Sequence, residues 1–243
     1  MDIIHATWEQ RNMGVDCIEI VLDKKDDPDE VRRAITEADA EYTVVKVPSA
    51  MAEMAFTVQD AGFRYVECLF SLRRSTEEPV LTPMQQKLIS CSDCVPMTED
   101  DYERLFKEVR SDMFDTGRVY LDPYFTKEQA NNRYVGWIKD EIERGTGFCK
   151  LIFKGEDAGF FALKQMRPGV LFPFLAGLYP GGPKALGLGY VLCYHEIMKA
   201  AENGAKTITG SVSSNNIPSL ASLTSYGYTV DGGVSVFVRH RND

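Results

Sequence analysis

Tyr179-Pro-Gly-Gly-Pro-Lys184-Ala-Leu-Gly187-Leu-Gly189-Tyr-Val-Leu192 joins an apolar run ending at Pro180 to the glycine-rich start of an amphipathic helix. Gly187 and Gly189 remove side chains where the chain turns, so successive backbone N–H groups converge on an anion that faces the positive end of the helix dipole. This is the build of a phosphate cradle. By itself it is equally the build of an ordinary strand-loop-helix joint whose glycines serve the turn. The segments that follow give it context. A helix over Gly187–Asn203 stops at Gly204, and Lys206-Thr-Ile-Thr-Gly-Ser-Val212 is a β-branched strand. A short helix then leads through Tyr226-Gly227-Tyr228 to a closing β-rich run, Thr229–His240, which carries an Asp231-Gly-Gly turn.

Working back from the loop, Val170–Leu178, Ala158–Gln165 and Phe148–Phe153 read as strands, with Arg167-Pro-Gly169 and Lys154-Gly-Glu-Asp157 as hairpin turns. Lys127–Arg144 is an amphipathic helix with Tyr134, Trp137, Ile138 and Ile142 on one face. Thr98-Glu-Asp-Asp101 caps a helix running to Met113, and Leu88–Val95 is expected as the strand before it.

The spacing Lys184-x-x-Gly187-x-Gly189 resembles the Gln/Arg-x-x-Gly-x-Gly/Ala pyrophosphate loop of the GNAT superfamily of CoA-dependent acyltransferases. Asn216, Ser219, Gly227 and Tyr228 fall at the offsets of that family's Asn-x-x-Ala-x-x-x-Tyr-x-x-x-Gly-Phe segment. The order of elements over residues 88–243 is also similar. The resemblance implies an α/β (α+β) fold with a mixed, mostly antiparallel central sheet flanked by helices. It further implies acetyl-CoA, or another acyl-CoA, as co-substrate. The thioester carrier would lie on Ala176, Gly177, Leu178 and Tyr179 of the preceding strand and on Lys184, Leu186, Gly187, Leu188, Gly189 and Tyr190 of the loop and helix start. Asn216, Ser219 and Leu223 would complete that side. Gly177 would admit the cofactor closely, and backbone N–H groups near Leu178 would hold the oxyanion.

Two departures weaken the mechanism. Leu223 stands where the family places a tyrosine that protonates the leaving thiolate. Tyr226, about one turn on, is either a displaced donor or an aromatic packed with Tyr228, and packing is the favoured reading. No glutamate lies within Phe172–Tyr179, so Asp122 is the candidate base, with an Asp-Pro turn former as the favoured alternative. Arg118, Tyr120 and Tyr124 share its loop and are expected to line an acceptor pocket.

Ahead of this unit, Val15–Leu22, Tyr42–Val47 and Phe63–Leu72 read as strands, with helices over Asp29–Ala38 and Ser49–Ala61. The organisation is therefore a half-domain over residues 1–75, a proline-bearing connector at 76–87, and an acyl-CoA-binding domain at 88–243. The Gly62-Phe63 ending faintly echoes Gly227-Tyr228, as a degenerate half of the same fold would. The Trp8-Glu9…Gly14-Val15 opening and Tyr124…Arg133-Tyr134-x-x-Trp137-Ile138 more narrowly resemble the dTDP-fucosamine acetyltransferases, whose acceptor is the amine of a nucleotide-linked deoxysugar.

The net charge of −9 over 243 residues argues against a nucleic-acid partner, because no basic block exists to displace counterions from phosphates. No apolar run reaches the ~20 residues of a membrane span, and the N-terminus lacks a signal peptide's regions, so a cytoplasmic protein is expected. The six cysteines read as reduced core residues, and Cys91-Ser-Asp-Cys94 lacks partners at metal-ligand spacing, so no metal is expected. The expected activity is N-acylation of a small-molecule amine. A non-catalytic CoA-binding module and a protein-amine acetyltransferase are the alternatives. The acceptor, the acyl length and the oligomeric state are not written in the chain, although a homodimer is among the expectations.

Overall fold

The computed structural model describes residues 1–241. The first third runs β1 (Asp2–His5), α1 (Thr7–Met13), β2 (Cys17–Val21), α2 (Pro28–Glu37), β3 (Tyr42–Pro48), α3 (Ala52–Asp60) and β4 (Arg64–Ser75). Next come α4 (Pro83–Ile89), β5 (Ser92–Pro96), α5 (Glu99–Val109), α6 (Arg118–Leu121) and α7 (Lys127–Glu143). The remainder is β6 (Gly147–Phe153), β7 (Glu156–Arg167), β8 (Val170–Leu178), α8 (Leu188–Glu202), β9 (Thr207–Ser213), α9 (Ile217–Ser225) and β10 (Thr229–His240).

All ten strands join one sheet in the order β1-β2-β3-β10-β4-β9-β8-β7-β6-β5. The pairings are antiparallel except β2–β3 and β8–β9. The order is nearly palindromic in element type. A strand, helix, parallel strand, helix and long strand occur once as β2-α2-β3-α3-β4 and again as β8-α8-β9-α9-β10, and each long strand is inserted beside the other half's parallel pair. β10 bonds β3 and β4, and β4 bonds β10 and β9. Details repeat as well. Gly62 and Gly227 both take positive φ, 85° and 78°, before Phe63 and Tyr228. Arg239 lies over the Phe63 ring and Arg74 over the Tyr228 ring. The echo between the two Gly-aromatic corners thus marks two related halves that exchange their last strands.

Apolar side chains divide between the two faces as strand alternation requires. Ile18, Ile20, Val45, Val47 and Phe237 pack under α2 and α3, while Leu72, Ile208 and Leu171 pack under α8 and α9. The opposite face carries Val44, Val236 and Val238 in one cluster, and Leu105, Val135, Ile138 and Phe160 beneath α5 and α7 in another.

Two sequence expectations change. Leu88 and Ile89 end α4 rather than start a strand, because Thr82 and Gln85 form a reciprocal capping box with Pro83 in the first turn. The Asp231-Gly-Gly segment is not a hairpin turn. β10 runs through it, with a register shift between Val230 and Gly232 that leaves Asp231 bulged against β4.

Candidate active site

The parallel strands β8 and β9 are paired at only two positions, Val170↔Thr207 and Leu171↔Ile208. Beyond them β8 bends away. Pro173 offers no N–H, and the register with β7 shifts between Ala162↔Leu175 and Leu163↔Pro173, which leaves Phe174 as an extra residue on β8. Residues Phe172–Leu178 therefore keep β7 on one side and present backbone groups to a gap on the other. In the other half, β2 and β3 pair over five positions, from Cys17↔Tyr42 to Val21↔Lys46, with no such gap. The two halves share a topology, and only one is split.

The loop after β8 leads to the top of this gap. Tyr179 is buried, with its N–H on the Ala158 carbonyl. Gly181 N–H donates to the Glu108 carboxylate at 2.8 Å, which fixes the turn. The Lys184 ammonium folds back onto the Pro180 carbonyl. Gly187 is the residue before α8, at φ 94° and ψ 2°, a conformation that disfavours any side chain. Its carbonyl accepts from Tyr190 and Val191, and no side chain caps the helix. The Leu188 N–H reaches the Ala185 carbonyl at 3.4 Å, which leaves the N–H groups of Gly187 and Gly189 to a ligand or solvent. The corresponding helix of the other half, α2, has the Asp27 carboxylate accepting from the N–H groups of Asp29 and Glu30. A side-chain anion fills that cradle, whereas the α8 cradle is free for an external one.

Other expected residues take more specific roles. Gly189 is small for packing: a Cβ there would lie 3.1 Å from the Ser222 hydroxyl of α9. At Gly177 it is Met113 and Phe114 that come close, since a Cβ would stand 2.6 Å from the Met113 methyl, so the glycine makes room for the loop after α5. Ala176 and Leu178 lie against the α8-side cluster that includes Leu188. Leu186 stands 94% exposed in the loop. Asn216 caps α9 by accepting from Ser219 N–H at 3.1 Å. Leu223 is buried among Cys193, Ile197 and Tyr228, and Tyr226 packs in the same cluster with its ring edge-on to Tyr190 at 6.4 Å. The Tyr226 hydroxyl is buried without a hydrogen-bond partner, and burial raises its pKa. This is a packing position and a poor proton donor.

The loop residues expected to receive an acceptor are occupied elsewhere. Arg118 is buried and pairs with Glu19 at 2.5 Å and Glu9 at 3.2 Å. Glu9, fully buried, also takes the Arg133 guanidinium at 2.7 and 2.9 Å. Burial alone would raise the Glu19 carboxyl, but Arg118 and Lys46 outweigh it and hold it at about 2. Asp122 is buried on the His240 ring nitrogen at 2.8 Å, and Tyr124 stacks on that imidazole at 3.9 Å, so Asp122 anchors β10 rather than facing the gap. Tyr120 packs beside the same cluster under the Lys127 ammonium.

What borders the gap on this face is aromatic. Trp137 lies 6.2 Å from Phe174, at the bulge of β8, and Tyr134 lies 4.6 Å from Phe114. The floor between β9 and β4 is formed by the cross-strand pair Ser71↔Ser211, both exposed although their strands are central. Sequence reading placed Tyr134 and Trp137 on one helix face but gave no reason to set them opposite β8.

This architecture, a mostly antiparallel sheet split between two parallel strands below a glycine-started helix, is that of the GNAT acetyltransferase fold. A GCN5-related N-acetyltransferase from Sphaerobacter thermophilus superposes with a TM-score of 0.62 over 98% of this chain and 75% of its own, at 11% identity. One from Kribbella flavida gives 0.56 over 92% and 80%, at 12% identity. A tandem GNAT protein from the clavulanic acid biosynthesis pathway gives 0.52 over 87% and 67%, at 12% identity. At such identities the likeness is one of fold. No family model matches the sequence, and no curated protein matches it significantly. These neighbours lend no support to the narrower resemblance to dTDP-fucosamine enzymes. No helix among the described residues is long and apolar enough to cross a membrane.

Proposed function

We propose that the protein transfers an acyl group, most simply acetyl, from acyl-CoA to the amine of a small molecule. The observation that carries this reading is the contrast between the halves: β8 and β9 part after two paired positions beneath an uncapped helix start, whereas β2 and β3 stay paired beneath a start filled by Asp27. The open edge of β8 offers amide-pairing groups to an extended pantetheine arm, and the N–H groups of Gly187 and Gly189 suit its pyrophosphate. The thioester brings the activated acyl group. The protein contributes alignment, backbone donors for the developing oxyanion and exclusion of water by the aromatic wall. With Leu223 apolar and Tyr226 buried, the departing thiolate takes its proton from water, which a good leaving group tolerates.

The resemblance of the opening segments makes a nucleotide-linked amino sugar the first acceptor to try, alongside free amino sugars and polyamines. Acetyl-CoA should stabilise the protein against heat, and CoA thiol should be released with some member of that panel. Binding without release would support the alternative of a non-catalytic module, which the missing tyrosine favours. Indifference to saturating acetyl-CoA would refute both.

A further inference from the structure

The geometry points to Glu67, on a strand of the N-terminal half, as the group that binds the acceptor's ammonium and takes its proton. This rests on the acyltransferase reading and names the base that reading lacks. Within β4 the register against β10 pairs Tyr65 with Phe237 and Glu67 with Val236, so Val66 is bulged out. The bulge reverses the alternation. Tyr65 faces the α2/α3 side with Phe237, and Glu67 is turned to the opposite face with Val236, the face that carries α6, α7 and the aromatic wall.

Its position along the strand is equally specific. β4 runs antiparallel to β9, with Ser75↔Thr207 at the end where β8 and β9 are joined and Leu69↔Ser213 at the end where they are apart. Glu67 lies two residues beyond Leu69 and so sits at the open end of the split. It is 3% exposed, and its Oε2 is buried with no hydrogen-bond partner. Its charge is felt by the Tyr134 hydroxyl, whose pKa is raised first by burial, drawn down by the Arg133 guanidinium and raised again by Glu67. Every other carboxylate buried at this junction is engaged, Glu9 by Arg118 and Arg133, Glu19 by Arg118 and Lys46. A buried carboxylate without a cation calls for one. A ligand ammonium set between Glu67 and Tyr134 supplies it, beside a Trp137 ring whose face already carries the Arg133 guanidinium at 3.8 Å.

The chemistry balances without a further reagent. An ammonium N–H bond breaks and its proton passes to the Glu67 carboxylate. The freed lone pair forms the C–N bond as the thioester C–S bond breaks, the thiolate takes a proton from water, the hydroxide so formed takes the nitrogen's second proton, and Glu67 returns its proton to solvent. The N-terminal half then supplies the acceptor side of a cleft whose carrier side belongs to the C-terminal half.

The test is Glu67→Gln, which keeps size and removes charge, assayed beside wild type with the amine panel and acetyl-CoA. The expected result is an unchanged acetyl-CoA thermal shift and a fall in kcat/KM of roughly 10²-fold or more. The deficit should narrow as pH rises and the amine becomes neutral in solution. A second readout needs no turnover: n-propylammonium should produce a saturable change in tryptophan fluorescence in wild type and none in Glu67→Gln. Equal kcat/KM with parallel pH profiles, or equal n-propylammonium titrations, would overturn the assignment while leaving the acyltransferase reading intact. Loss of the acetyl-CoA shift in wild type would remove both.

Discussion

Leu186→Asp isolates the phosphate cradle without disturbing the fold. The residue is 94% exposed between Lys184 and the Gly187 turn, so the unliganded protein should melt as wild type does. Gly189→Asp is a poorer probe, because its Cβ would crowd Ser222 at 3.1 Å and confuse binding with packing. For wild type, ligand at about 100 times Kd stabilises by ~2.7 kcal/mol. For a domain of this size that is a rise in Tm of about 5–10 °C. A carboxylate within a few Å of a diphosphate costs about 1 kcal/mol per charge pair in water and about 4 at the effective dielectric of a protein surface. Taking ~2 kcal/mol, Kd rises about 30-fold. At the same acetyl-CoA concentration the stabilisation then falls to ~0.9 kcal/mol, a shift of about 2–3 °C. Differential scanning fluorimetry across an acetyl-CoA series, with Leu186→Asn as the neutral control, reads this directly. If Leu186→Asp and Leu186→Asn shift alike, no anion lies at the α8 start and the cradle argument fails.

Burial pushes the Glu196 carboxyl of α8 up to about 8. Between its ordinary pKa of 4.5 and that value the folded state keeps a proton the unfolded chain has lost. Its contribution is therefore full below pH 4.5, falls as pH rises and is gone above about 8. Glu196→Gln should match wild type in urea at pH 4.5 and exceed it by about 3–5 kcal/mol at pH 9, and parallel pH–stability curves would contradict this. Arg118→Met leaves Glu9 with Arg133 alone and Glu19 with Lys46 alone and should lower urea stability by about 3 kcal/mol, where an acceptor-pocket role would predict a raised KM with stability intact. Tyr226→Phe removes a buried hydroxyl that has no partner, so kcat and the urea midpoint should both be nearly unchanged; a large loss of kcat with folding preserved would make Tyr226 the thiolate's acid.

The elements around the Gly187 loop were legible because their determinants are local. Glycines at a turn, a β-branched strand and an Asn-capped short helix act within a few residues of themselves. What escaped depends on long-range pairing. The Asp231-Gly-Gly segment has hairpin chemistry, yet tertiary pairing draws it straight into β10 against β4 from the other end of the chain. The connector's Pro83 read as a breaker and proves to be a helix start, because Thr82 and Gln85 close a box around it. Arg118 and Asp122 looked like pocket residues because charge in a loop is ordinarily solvated. Their partners Glu9, Glu19 and His240 lie a hundred or more residues away, or nearly so, and cannot be inferred from spacing. Glu67 was hidden for a third reason: simple alternation from Phe63 puts it on the wrong face, and only the bulge at Val66 turns it toward the cleft.

The exchanged strands explain why a chain with one open cleft retains two halves. β4 stands between β9 and β10, so the strand bordering the split is itself held by a strand of the N-terminal half. Were the split opened in both halves, each long central strand would abut a gapped pair, and the sheet would lose ladder bonds on both sides of its middle. Closing β2 against β3 over five positions, and filling the α2 start with Asp27, makes that half a rigid buttress. The ionic set of Glu9, Glu19, Arg118 and Arg133 ties α1 and β2 to α6 and α7 across the same junction. A buried network of this kind adds little net stability over apolar packing, but it tolerates few alternative arrangements. Its consequence is positional: α6 and α7 are fixed relative to α1 and β2, and so to the sheet beneath them.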